Sequence, residues 1–188
     1  MDRPSGMDDD GWLISIDRCP SPNANDRPAG VPVSLVVIHN ISLPPGDFGG
    51  PYIEALFTNR LDPEIHPYFE TIAALKVSAH FLIRRDGQII QFVSLHKRAW
   101  HAGLSSFQGR DNCNDFSVGI ELEGADETPY EDQQYSSLAW LVSCLKTLMP
   151  DIGSNIAGHS DISPGRKTDP GSAFDWARLE GLLDRSTH

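Results

Sequence analysis

Cysteine, basic residues and long apolar runs are all scarce in this chain of 188 residues, and each shortage excludes a class of protein. The three cysteines, Cys19, Cys113 and Cys144, are odd in number and form no CxxC pair. That argues against a disulfide framework and a cysteine-based metal knuckle, and it favours a reducing compartment. Lys and Arg number 15 against 26 Asp and Glu, a formal net charge of -11, and no basic cluster exceeds two or three residues. Such a balance repels a phosphate backbone, so nucleic acid is not an expected partner. The uncharged stretch 31–45 is broken by His39, Asn40 and three prolines and is too short and polar to cross a bilayer. The opening MDRPSGMDDDGW lacks the basic and apolar regions of a secretory signal. The expectation is a soluble, cytoplasmic protein that takes a small molecule or peptide and makes no membrane contact.

What is present suits one domain. The sequence shows no internal repeat and no low-complexity segment, and a chain of this length buries roughly 70% of its unfolded surface. Residues 1–11 and 184–188 carry little apolar content to dock and are expected to be flexible, leaving 12–183 as the folded unit. Residues 33–38 form a continuous apolar run rich in β-branched side chains, the pattern of a buried strand. Residues 53–57 read as a short helix behind Pro51, and 63–75 as an irregular helical connection. Two apolar runs within 81–93 flank Asp86-Gly87, a pair that supplies the positive φ of a tight hairpin. Residues 117–123 alternate, with Val118, Ile120 and Leu122 on one face and Glu121 with Glu123 on the other. Tyr135, Leu138, Leu141, Val142 and Leu145 recur at helical spacing before Pro150, a short strand is expected over 155–159, and a closing helix over 173–183. The sum is an α/β (α+β) fold, a single domain whose central mixed β-sheet is flanked by helices.

His39 ends the run 35–38, and His159 ends Ile156-Ala157-Gly158. Sites of open α/β sheets gather at such strand ends. Ten residues beyond His159 comes Asp169, in a loop too rich in Gly and Pro to be helical. Two imidazoles and a carboxylate would leave a zinc ion one open position, although each residue alone has an ordinary structural reading: a hydrogen-bonded strand-end histidine, a turn-initiating aspartate. Glu121 is costly to bury beside apolar neighbours unless a cation compensates it, and periodicity does not separate it from Glu123. Lys167, two residues before Asp169, is placed to stabilise negative charge near a metal or simply to be solvated. His101 reads equally well as a cleft residue or a structural one, and His66, His80 and His96 are not assigned to metal.

The strings VVIHNISLPPG, HPYF, VSAHFLIRRDG, RAWHAG, CNDFSVGIELEG and GHSDISP-GRKTDPG-FDW carry a resemblance. In this order, over residues 12–182, they resemble the 1,6-anhydro-N-acetylmuramoyl-L-alanine amidases of cytosolic peptidoglycan recycling, within the wider family of phage amidases and peptidoglycan-recognition proteins. The resemblance implies one Zn2+ per chain held by His39, His159 and Asp169. It implies Glu121 as catalytic base with Glu123 supporting, and Lys167 as stabiliser of the tetrahedral intermediate. It also implies a pocket for an anionic muropeptide lined by Asn40, Trp100, Leu122 and Arg166, in a monomer. Lys76 and Asn112 depart from the family, standing where arginine is common, and neither reproduces a planar bidentate fork. The activity implied is hydrolysis of the lactyl to L-alanine amide. A non-catalytic peptidoglycan-binding module and a zinc peptidase cutting within the stem peptide are the alternatives.

Overall fold

The computed structural model describes residues 6–185 of the 188. Its strands are β1 (Asp17–Arg18), β2 (Ala24–Asp26), β3 (Leu35–Ile41), β4 (Phe81–Ile83), β5 (Ile89–Gln91), β6 (Lys97–Ala99), β7 (Ser106–Phe107), β8 (Arg110–Asp111), β9 (Ser117–Glu123) and β10 (Ile156–Gly158). Its α-helices are α1 (Tyr52–Phe57), α2 (Pro67–Ile72), α3 (Asp132–Leu148), α4 (His159–Ile162) and α5 (Trp176–Arg185). Six strands form one mixed sheet in the order β1-β5-β4-β9-β3-β10. Only β4 and β5 are antiparallel neighbours; β1 with β5, β4 with β9, β9 with β3, and β3 with β10 run parallel.

The β4–β5 hairpin differs in its turn from the tight one expected. Gly87 N–H donates to the Arg84 carbonyl at 2.9 Å, Arg84 N–H donates to Gln88, and within the turn Gly87 alone has positive φ, at 83°. Asp86 keeps ordinary backbone angles, so the glycine acts as the left-handed residue of a bulged three-residue loop. The other expected elements form with boundaries shifted by a few residues.

Strand alternation divides the core. Val36 and Ile38 of β3 and Val118, Ile120 and Leu122 of β9 face α3, against Leu138, Leu141, Val142 and Leu145, with α5 adding Leu179. Leu35 and Val37 point to the opposite face, where Phe116, Ala157 and Ile162 cover them. Beside them α1 and α2 place Ile53, Leu56, Phe57 and Phe69 over Leu82 and Ile90. The helix α3 is fastened at its start by a Glu131/Gln134 capping box, and the buried Gln134 amide also donates to the Ile83 and Glu123 carbonyls, at 3.3 and 3.0 Å.

Residues 6–11, part of the stretch expected to be flexible, make contacts with the rest of the fold. Met7 bridges to Leu13, and the Gly11 carbonyl accepts from Leu95 N–H at 2.9 Å and from the buried Gln91 amide at 3.1 Å. Residues 1–5 and 186–188 lie outside the described residues. At the other end, α5 continues through Arg185.

Glu123 ties the loop before α1 to the hairpin. Its carboxylate, 2% exposed, accepts from Gly49 N–H at 2.6 Å, Arg84 Nη1 at 2.8 Å and Arg85 N–H at 3.2 Å, while Arg84 Nη2 pairs with Glu54. Removing one partner of a buried ion pair typically costs about 3–5 kcal/mol, because the other charge is left uncompensated. Glu123→Ala is therefore expected to lower stability by that order in denaturant unfolding; a loss below about 1 kcal/mol would contradict a buried anchoring role.

Candidate active site

The central strands assemble the site through their register. Parallel pairing of β3 and β9 sets His39 beside Glu121, and β4 places Leu82 on the far side of Glu121. Because β10 pairs Gly158 with Ile38, the next residue, His159, opens α4 adjacent to His39. All of this lies at the C-terminal ends of parallel strands, on the sheet face away from α3.

His39 Nδ1 lies 3.0 Å from His159 Nδ1 and 3.0 Å from Asp169 Oδ2, and His159 Nδ1 lies 3.1 Å from the same oxygen. Three donor atoms of the two nitrogen, one oxygen type thus converge on one point. A tetrahedral zinc with bonds of about 2.0–2.1 Å separates its ligands by roughly 3.3 Å, so the three donors would need to spread by only a few tenths of an ångström. Their protonation also fits. Burial lowers His39 to about 4, against the opposing hydrogen bond to Asp169, so its imidazole is neutral near pH 7. Burial pushes the Asp169 carboxyl up, but hydrogen bonds with His159 and His39 outweigh it and hold the group well below the usual carboxylate range. Neutral imidazole and ionised carboxylate are the forms that bind metal.

Asp169 sits on a loop, so its position depends on what grips the loop. Ser160 N–H donates to the Asp169 carbonyl at 3.0 Å. The Pro170 carbonyl accepts from Tyr130 OH at 2.7 Å and from Asn40 Nδ2 at 3.0 Å, and the same amide nitrogen donates to Asp126 at 2.8 Å. Gly171, at φ 83°, packs so closely that a Cβ there would come within 2.1 Å of Asp126 Cα. Only glycine fits that approach.

Glu121 is half-buried beside these groups, and its buried Oε2 has no hydrogen-bond partner among the described residues. Burial, reinforced by Asp169, raises its carboxyl well above the ordinary value, with Lys167 pulling in the other direction. An unpartnered carboxylate oxygen of raised basicity suits proton transfer. The Glu121 side chain lines a cleft of about 530 Å³ together with His39, His159 and Asp169, the polar Asn40, Asp126 and Lys167, and an apolar wall of Leu56, Ile72, Leu75 and Val77. That volume suits a small ligand.

Most residues singled out from the sequence therefore meet in one cleft, while several have side-chain contacts of their own. Leu122 is corrected: strand alternation turns it away from Glu121 into the core under α3, 1% exposed, and it does not line the cleft. Asn40 lines the cleft, but both contacts of its amide nitrogen hold the Asp169 loop. Arg166 also lines it, with Nη2 donating to the Ala102 and Leu104 carbonyls at 2.7 and 2.8 Å. Trp100 lines it with its indole N–H donating to Asn25 at 2.8 Å. Asn112 lies in a neighbouring groove with Leu104, Ser163 and Arg166. Asp126 and Tyr130, which support the Asp169 loop, went unmarked in the sequence; only the run of turn residues around them signalled a loop.

A family model described as N-acetylmuramoyl-L-alanine amidase matches residues 29–172. The chain is 58% identical over 180 residues to the 1,6-anhydro-N-acetylmuramyl-L-alanine amidase AmpD of Citrobacter freundii, covering 96% of each chain. Its structure superposes on the crystal structure of a selenomethionine AmpD derivative with a TM-score of 0.91, at 59% identity over 93% of this chain and 98% of that one. It is also similar to the Escherichia coli amidase AmiD solved with anhydro-N-acetylmuramic acid-L-Ala-D-γ-Glu-L-Lys, with a TM-score of 0.59 and 27% identity, covering 84% of this chain and 60% of that one.

The placement of Leu122 has a direct test. Leu122→Ala should destabilise the fold by about 2–5 kcal/mol, the usual cost of truncating a buried leucine, while leaving metal binding at the cleft unchanged. Unchanged stability with weakened ligand binding would return this side chain to the cleft.

Proposed function

The chain belongs to the N-acetylmuramoyl-L-alanine amidase family, and from that membership we propose that it is a zinc enzyme of cytosolic peptidoglycan recycling. It hydrolyses the amide between the lactyl group of 1,6-anhydro-N-acetylmuramic acid and the L-alanine of the stem peptide. The observation that carries the reading is the convergence of His39 Nδ1, His159 Nδ1 and Asp169 Oδ2 at 3.0–3.1 Å, with the half-buried Glu121 beside them, its Oε2 without a hydrogen-bond partner among the described residues. Near full-length identity to AmpD supports the substrate, as does the muropeptide bound by AmiD. A cytosolic setting is supported by the free thiols Cys19, Cys113 and Cys144, and no helix among the described residues is long and apolar enough to cross a membrane. The enzyme is read as a monomer with one amidase domain.

His39, His159 and Asp169 would hold the zinc ion, which when bound would supply a Lewis acid for an amide carbonyl and for a water molecule. The protein's own groups do the rest. Glu121 accepts the proton of the attacking water, and its raised basicity makes it a stronger base than an ordinary surface carboxylate. It then delivers that proton to the departing alanine nitrogen, without which the amine would leave as an unstable anion. Lys167 lines the same cleft and offers its ammonium to the developing oxyanion. The apolar wall formed by Leu56, Ile72, Leu75 and Val77 receives uncharged parts of the substrate and excludes water, and Arg166 with Lys167 places positive charge where an anionic peptide enters.

Mass spectrometry of the products from an anhydro-muropeptide tests the reading. Free stem peptide beginning with L-alanine, plus anhydro-N-acetylmuramic acid, is expected. Cleavage inside the peptide would make the protein a peptidase, and binding without turnover a recognition module. Chelation should abolish turnover and zinc should restore it.

Glu121→Gln should lower kcat by about 10²–10⁴ with zinc still bound. The same variant carries a stability signature. Burial raises the folded-state carboxyl above its unfolded value, so ionising it on going from pH 4 to 7 lowers stability. After removal of metal, Glu121→Gln should therefore melt above the parent at pH 7 and close to it at pH 4; equal melting at both would contradict the raised carboxyl. Lys167→Ala should lose kcat by about 10² or more with little change in KM, whereas a loss confined to KM would make Lys167 a binding group.

A further inference from the structure

The imidazole cluster extends beyond the candidate ligands. His39 Nε2, the ring nitrogen turned away from Asp169, lies 2.8 Å from His101 Nδ1, with the two rings edge to face at 87°. His101 Nε2 lies 3.0 Å from Ser117 Oγ. The outer nitrogen of His159 meets the Ala102 carbonyl at 3.1 Å, with Arg166 Nη2 farther off at 3.4 Å. The carbonyl is the nearer neighbour and only accepts, so it favours the His159 hydrogen on Nε2 and Nδ1 as a bare lone pair. His39 faces another imidazole, which either donates or accepts. The donor atom that His39 presents therefore depends on how His101 is held.

We propose that His101 is the positioning residue of His39. It donates its Nε2–H to Ser117 Oγ, keeps Nδ1 unprotonated, and accepts His39 Nε2–H, which leaves His39 Nδ1 bare toward His159 and Asp169. This rests on the reading of those three residues as metal ligands.

Two further observations show that the His101 ring occupies a built slot. Asn114 Oδ1 accepts the backbone N–H of both His101 and Ala102, at 3.1 and 2.8 Å, and so fixes where the side chain departs. Across the ring lies Gly119, in the middle of β9, where a Cβ would come within 2.5 Å of His101 Cγ. A glycine inside an otherwise alternating strand marks such a close approach. The neighbouring His80 has other partners: its Nδ1 accepts Gly119 N–H at 3.1 Å, and its Nε2 lies 3.1 Å from both the Lys97 carbonyl and Arg27 Nη2. Groups that orient a metal-bound imidazole through its other nitrogen commonly change metal affinity by about 10–100-fold.

The test compares zinc affinity, by chelator competition, in the full-length parent, His101→Leu and His101→Asn, with melting of the metal-free proteins and ¹⁵N NMR of the zinc-loaded parent. His101→Leu should bind zinc about 10–100-fold more weakly, and His101→Asn, whose amide oxygen can replace Nδ1 as acceptor, should recover most of that loss. In the parent, His39 should be protonated at Nε2 and His101 bare at Nδ1. A merely structural role would shift melting without the rescue by asparagine. Zinc binding by His101→Leu within twofold of a zinc-binding parent would overturn this inference alone, and a parent that binds no zinc would overturn the metal reading with it. If His101→Leu does not fold, the NMR decides: a hydrogen on His101 Nδ1 in the zinc-loaded parent overturns the proposal.

Discussion

When β3 pairs in parallel with β9 so that His39 lies opposite Glu121, the groups proposed to bind metal and to accept a proton are brought side by side by the strand register. The period of two along a strand makes this register unforgiving. A slip of β3 by one residue would turn His39 under α3 and bring Ile38 to the cleft face beside Glu121. The register is held by what lies on the other face: Val36, Ile38, Val118, Ile120 and Leu122 are all buried under α3. Hydrophobic patterning on one side of the sheet thus specifies chemistry on the other. The pairing of β10 with β3 extends the same logic to His159.

This arrangement conflicts with stability in ways that the surroundings limit. His39 is buried and His101 and Glu121 are half-buried, and loss of surrounding water disfavours the charged form of each. The imidazoles tolerate this because they stay neutral and find polar neighbours. Glu121 does not: among the described residues its Oε2 has no hydrogen-bond partner, and Asp169 lies nearby, so its placement costs the fold stability. Glu123, two residues along the same strand, has the opposite character, with Gly49, Arg84 and Arg85 satisfying it. Two glutamates on one strand face therefore do different work because one meets donors and the other meets a cluster of acceptors.

Much of this was legible beforehand where the signal is local. Uninterrupted and alternating apolar runs marked β3 and β9, helical spacing marked α3, and Asp86-Gly87 marked a turn. The family motifs pointed to the residues that converge at the cleft, and the fold class agrees with the mixed sheet observed. What was not legible depends on direction and on distant partners. Leu122 belongs to the motif that contains Glu121, but alternation sends it into the core. Asn40 sits next to His39, yet its amide holds a loop 130 residues later in the chain. His101 had two equal readings because its neighbours, His39 and Ser117, come from different strands. The one local trace was Gly119, a glycine where an alternating strand would ordinarily place a side chain.

The central claim is that His39 Nδ1, His159 Nδ1 and Asp169 form one metal site prepared by the strand register. A crystal structure of the zinc-loaded protein, with anomalous data collected on both sides of the zinc absorption edge, tests it most directly. One edge-dependent peak per chain is expected, within about 2.0–2.2 Å of those three atoms and beside Glu121. A peak coordinated through His39 Nε2, a peak elsewhere in the chain, or no peak in crystals of enzyme that retains full turnover would contradict the account.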